Sequence, residues 1–170
     1  MEFRCWRHHL HIPGRIPYKF EFDIRDPFYF ARLGQEITRE EEAEVVQKLI
    51  ASKTDIVFSI FEGEEYLGQI GLSQIYWPAR NGRLGIMLCR HAWGRDVARR
   101  AAKSLLDYAF GPAGLHKVWL IVRSDNAKGR YIWSSIGFTE EGLLREEYFV
   151  QEKYHDMVRY GLLESDLVSD

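Results

Sequence analysis

Cysteine is scarce in this chain. The two present in 170 residues, Cys5 and Cys89, have no framework spacing, which argues against a disulfide-stapled scaffold and for a reducing compartment with both thiols free. Neither sign of charge dominates. Twenty-three Lys and Arg against 25 Asp and Glu give a formal net charge of −2, and without a long basic run there is no general attraction to nucleic acid. No stretch reaches the apolar length of a membrane span, and the first residues, with Arg4, Arg7, His8 and His9, lack the apolar run of a signal peptide. The expected address is the cytoplasm, with no nucleic-acid or membrane partner. Low-complexity linkers and internal repeats are absent as well. His8, His9 and His11 beside Cys5 lack a second ligand pair at zinc spacing, so no metal is expected.

What is present fits one domain over residues 1–170, with 46% hydrophobic and 14% aromatic residues to fill a core. Residues 1–30 follow neither the helical nor the strand period and form an atypical N-terminal segment. Thr38 to Glu41 reads as a capping box, and Ala43, Val46, Leu49 and Ile50 stripe a helix running to about Ser52. β chemistry follows: strands over 55–61 and 66–75 joined by Glu62-Gly63-Glu64, then a turn at Asn81-Gly82 and a strand over 83–89. A long helix begins after Asp96, with Ala98, Ala101, Ala102, Leu105 and Ala109 on one face, and ends at Gly111-Pro112. A strand over 117–122, a short helix over 127–136, and strands over 143–150 and 154–163 complete the chain. The order predicts an α/β (α+β) fold: a mixed, mostly antiparallel central sheet flanked by helices. The last strand, read as exposed, offers an edge for a homodimer.

The strand, short glycine-containing loop and helix over 85–109 make an anion site, because unpaired amides and the positive end of the helix dipole converge there. Arg95, Arg99 and Arg100 add cations, so a phosphorylated ligand is expected. Cys89, at the strand's end, reads as a small buried thiol rather than a nucleophile.

Three segments together resemble the GNAT superfamily of N-acetyltransferases, in its polyamine and ribosomal-protein branch. Trp93-Gly94-Arg95-Asp96-Val97-Ala98 occupies the pyrophosphate loop, usually (Q/R)xxGx(G/A). Leu115 to Val122 through Asn126 resembles the strand and asparagine that follow. Ile132-Trp133-Ser134-Ser135-Ile136-Gly137-Phe138 with Glu141-Gly142 resembles the helix and its GF…EG ending. The resemblance runs from about Asp55 to Leu163.

It implies an acyl-CoA N-acyltransferase fold with splayed central strands. Acetyl-CoA as cosubstrate would pair its pantetheine with Met87, Leu88 and Cys89 and lay its diphosphate over Trp93, Gly94, Arg95, Asp96, Val97, Ala98 and Arg99, with Asn126 and Trp133 nearby. A primary amine of a small molecule or peptide would attack the thioester directly, steadied by an amide near Leu88 or Cys89. A cationic amine is one acceptor class, for which Glu146 or Glu147 supplies a carboxylate. Three positions depart from the pattern: Asp96 stands for a glycine, Arg83 for a glutamate and Trp133 for the tyrosine assigned as thiolate acid. The catalytic residues are therefore unassigned, and a non-catalytic CoA- or partner-binding module is the alternative.

Overall fold

A computed structural model describes residues 2–5, 47–48 and 51–167. Strands β1 (Glu2–Cys5), β2 (Ile56–Glu62), β3 (Glu65–Tyr76), β4 (Asn81–Leu88), β5 (Lys117–Arg123), β6 (Thr139–Val150) and β7 (Lys153–Leu163) form a seven-stranded sheet. Its order is β1-β2-β3-β4-β5-β7-β6. Helix α1 (Val97–Phe110) connects β4 to β5, and α2 (Ala127–Ile136) connects β5 to β6. Neighbours are antiparallel except β4 and β5. This is the mixed, mostly antiparallel α/β sheet that the element order predicts. The capping box at Thr38 and the stripe from Ala43 to Ile50 lie outside the described residues, as do His8, His9 and His11. Strand β1, pairing Glu2 with Phe61 through Cys5 with Phe58, lies in the segment whose sequence carries no readable period.

Period-2 alternation turns Val118, Leu120 and Val122 of β5 toward the helices, together with Leu84 of β4 and Val158, Tyr160 and Leu162 of β7. Val97, Ala101, Ala102, Leu105, Leu106 and Ala109 of α1 are buried against this face. The alanines let the helix approach the sheet closely, while burial of each leucine contributes about 1.5–3 kcal/mol. Helix α2 begins at Asn126, whose Oδ1 accepts the Gly129 amide at 3.0 Å, and ends at Gly137 in the left-handed region at φ +115°. Both helices thus share one face.

Two expectations are corrected. Asn81 and Gly82 are not a turn but the start of β4; the reversal is a 3₁₀ turn over Trp77–Ala79, with Pro78 inside it and Arg80 at φ +49°. Gly82 serves packing instead, since a Cβ there would lie 3.2 Å from Ile75 and 3.3 Å from Leu115. The strand over 154–163 is not an edge: β7 lies between β5 and β6 with both sides paired, so it cannot extend the sheet across a dimer.

Candidate active site

The parallel ladder between β4 and β5 holds for only three pairs, Asn81–Lys117, Gly82–Val118 and Arg83–Trp119. Beyond them β4 continues to Leu88 and β5 to Arg123 without pairing, so the two strands diverge into a V closed at Arg83. The backbone phase along β4 follows from its other neighbour. The Cys89 amide donates to the Leu67 carbonyl of β3 at 2.9 Å. Alternation in an antiparallel ladder then turns Met87 toward β3 too, and turns the N–H and C=O groups of Ile86 and Leu88 toward the gap. The Leu88 carbonyl accepts the Trp93 indole N–H at 3.1 Å. Of the three residues expected to meet the pantetheine, Leu88 therefore faces the gap, while Met87 and Cys89 direct their backbone groups to the sheet. Ile86, which the sequence reading overlooked, faces the gap; only the phase of the ladder reveals it.

At the open end of the V stands the start of α1. Gly94 at φ +74° and Asp96 at φ +58° bend the chain into the helix. The left-handed conformation accounts for the glycine usual at position 96, and aspartate is one of the few side chains that enter it readily. The Asp96 carboxylate makes no cap bond to the helix; it turns outward to Arg99 at 3.3 Å. The first helical bond runs from the Arg100 amide to the Asp96 carbonyl, which leaves the Val97, Ala98 and Arg99 amides without intrahelical acceptors. These free amides stand at the junction where the sequence leads to the expectation of an anion cradle.

The cations beside the cradle are already engaged. Arg95 pairs with Glu62 and Glu65, Arg100 reaches Glu62 at 3.4 Å, and His91 lies 3.3 Å from Glu65. They clamp the β2–β3 hairpin to the loop. The Arg95 guanidinium, and Arg100 after it, hold the Glu62 carboxyl below its ordinary 4.5. A carboxyl depressed by folding stabilises the native state above its unfolded pKa, and that contribution is lost as pH falls through the lower folded value. Melting temperatures recorded from pH 7 down to pH 3 are thus expected to fall less steeply below pH 4.5 for Glu62→Gln than for the parent; equal acid limbs would exclude the clamp as a pH-dependent element.

The remaining predicted residues are placed as follows. Cys89 is half-buried, and burial pushes its thiol up from its ordinary value, consistent with an inert thiol. Asn126 uses its side-chain carbonyl as the α2 cap. Trp133 is 7% exposed and packs edge-on against Phe138, 5.6 Å between centroids. Tyr131 is 70% exposed and takes no part in this packing. No cluster of three or more potential metal-ligating side chains occurs among the described residues.

On the sheet face away from the helices, the closed end of the V carries a group that the sequence reading did not assemble. The Arg83 guanidinium lies 5.6 Å from the Trp119 ring centroid and donates to the Tyr148 hydroxyl at 3.0 Å. Arg159 stacks on the same indole at 4.1 Å and pairs with Glu141 at 3.3 Å. Glu141 also pairs with Lys117. A double bulge in β6 between Leu144 and Tyr148, held by the Glu146 amide donating to Asp156 at 2.7 Å, precedes Tyr148 on that strand.

Residues 20–139 match the acetyltransferase (GNAT) domain family. The chain belongs to the GNAT family. The spermidine N(1)-acetyltransferase of Vibrio cholerae serotype O1 is 31% identical over 127 residues, covering 74% of this chain and 73% of that protein. The spermidine N(1)-acetyltransferase of Escherichia coli K12 is 28% identical over 130 residues, 76% and 70% of the two chains. The putative ribosomal N-acetyltransferase YdaF of Bacillus subtilis is 30% identical over 99 residues, 58% of this chain and 54% of its own. Among solved structures, a mutant form of the spermidine N-acetyltransferase SpeG from Vibrio cholerae superposes with a TM-score of 0.73 at 30% identity, covering 76% of this chain and 78% of that one. This GNAT protein is an acetyl-CoA-dependent N-acetyltransferase acting on an amine; nothing in its relatives favours the non-catalytic alternative.

Proposed function

We propose that acetyl-CoA lies in the V between β4 and β5 and that a primary amine of a small molecule or peptide attacks its thioester at the closed end. The observation that carries this reading is the β4–β5 ladder ending at Arg83 and Trp119 in a chain whose helix α1 starts at the gap's open end. The Val97, Ala98 and Arg99 amides receive the diphosphate, reinforced by the helix dipole. The pantetheine arm enters from the cradle past Leu88 and runs along the free edge of β4, where the backbone groups of Leu88 and then Ile86 face it. The Ile86 amide then steadies the carbonyl oxygen as the amine adds, a role assigned in the sequence reading to an amide nearer Leu88 or Cys89. Trp133 packs the wall and cannot act as the acid, because an indole N–H does not protonate a thiolate. Polyamines are an acceptor class to test on the strength of the spermidine acetyltransferase relatives, with Glu146 and Asp156 at the β6 bulge, beside Arg145, as carboxylates for ammonium groups. No described helix is long and apolar enough to cross a membrane, and a cytoplasmic address, where acetyl-CoA is supplied, belongs to the proposal.

Saturation with acetyl-CoA is expected to stabilise the protein. At one hundred times its Kd a ligand adds about 2.7 kcal/mol to the native state, read as a rise in melting temperature and checked by calorimetric titration. No shift at millimolar acetyl-CoA would overturn the cofactor placement. Release of free CoA on adding an amine panel reports the transfer itself.

A further inference from the structure

Among the described residues, the cluster at the closed end of the V carries more positive than negative side chains. Arg95, Arg99, Arg100, Arg123, Arg130 and Arg159 each have a carboxylate within ion-pair distance. Arg83 has none among the described residues: its partners are the Trp119 ring and the Tyr148 hydroxyl. The only carboxylate joined to this cluster through described contacts, Glu141, is shared by Lys117 and Arg159. Among the described residues, three cationic side chains therefore face one anion. A half-buried guanidinium loses hydration and regains it only through a counter-ion or strong acceptors. A neutral phenol and an aromatic face hold Arg83 in position without neutralising it.

The position of Arg83 gives that charge a use. Arg83 and Trp119 are the last registered pair before the strands part. Their side chains lie on the face opposite α1 and α2, since Leu84, Val118 and Leu120 occupy the helix face. The cradle lies on the helix side, so the donor arm and its departing thiolate belong there. The amine must reach the carbonyl from the other side, past Arg83. Tyr148, brought to the guanidinium from the bulged strand β6, adds a second hydrogen-bonding group next to it.

We propose that the acceptor is an amine that also carries a carboxylate, of the amino-acid class, and that Arg83 selects it by taking the carboxylate on its planar fork. Tyr148 braces the guanidinium, and Trp119 fixes its plane. Arg83 is a specificity residue for the amine-acetylating reaction, and the inference rests on the acetyl-transfer reading above. A polyamine, all cation, would meet Arg83 as a like charge.

The test uses acceptors that differ by one carboxylate: lysine against cadaverine and ornithine against putrescine, with spermidine alongside, each assayed with acetyl-CoA for kcat/KM. The carboxylate-bearing member of each pair is expected to be preferred. Arg83→Met is expected to shrink that preference by about 10- to 100-fold, the worth of a charge-assisted bond, through the acceptor KM and with the acetyl-CoA KM unchanged. Arg83→Lys should retain part of it, which guards against a folding defect in the methionine variant, as does its melting temperature. Preference for cadaverine, putrescine or spermidine overturns the proposal. So does a ratio indifferent to Arg83, or no transfer to any carboxylate-bearing amine by protein that binds acetyl-CoA. Failure to bind acetyl-CoA at all overturns the acetyl-transfer reading instead.

Discussion

Gly68→Ala is expected to cost more than 4 kcal/mol, measured as the loss of unfolding free energy in urea, and to abolish acetyl transfer at temperatures where the parent is folded. Gly68 sits at φ +144°, a backbone conformation that L side chains rarely adopt. The strain of such a conformation alone is of order 1–3 kcal/mol. Sterics add to it. A Cβ at this position would stand 2.8 Å from the Leu88 Cα and closer still to the Met87 carbonyl oxygen. Both are backbone, so relief requires β3 and β4 to separate where the Cys89 amide meets Leu67. That separation would shift the edge of β4 that faces the gap. Gly63, also left-handed but with nothing within 4 Å of a built Cβ, provides the control: alanine there should cost about 1 kcal/mol, from the backbone alone. Comparable losses at the two sites would show that the close approach at Gly68 is not what makes it special.

Ala98→Glu is expected to move two measurements in opposite directions. Position 98 is half-buried in the first turn of α1, where a carboxylate interacts favourably with the helix dipole by about 0.3–1 kcal/mol. The free protein should therefore melt at the same temperature or slightly higher. Acetyl-CoA affinity should fall. A carboxylate about 5 Å from a phosphate charge costs roughly 3 kcal/mol at an effective dielectric of 20, reduced by salt, so calorimetry should read a Kd raised about 10- to 100-fold. Raising ionic strength should narrow the gap between variant and parent. An unchanged Kd with a folded variant would mean that the diphosphate is not held by this turn.

Long-period features were legible from the residues. The α1 stripe from Ala101 to Ala109, the boundaries of α2 and the hydrophobic run of β5 follow from side-chain spacing, which packs a helix or strand on a core. Ala98, however, is only half-buried, and Val97 and Leu106 join the buried face instead. The loop-to-helix junction from Trp93 to Ala98 was legible because a glycine followed by alanine-rich helical spacing marks a bend and a helix start. Features set by partners distant in sequence were not. Asn81-Gly82 has the local chemistry of a turn, but Pro78 and Arg80 make the reversal and His116 pairs with the Arg80 carbonyl, a competition that no local window displays. The gap-facing role of Ile86 depends on the phase of β3 against β4. The cluster around Arg83 depends on Trp119, Tyr148 and Arg159 arriving from three other strands.

The short β4–β5 ladder also bears on how the chain assembles. Strands β2, β3 and β4 pair with their sequence neighbours, and β6 pairs with β7 across a tight hairpin. Each half of the sheet is thus built largely from local contacts, which form early because little chain entropy is lost in closing them. Joining the halves brings Asn81 to Lys117 after the whole of α1 has been traversed, and is rewarded by three pairs rather than a full ladder. The halves are expected to mature first and dock last, with α1 packed across one face of both, on β3 and β5. The gap between β4 and β5, proposed above as the donor's cleft, is the seam left by that late docking.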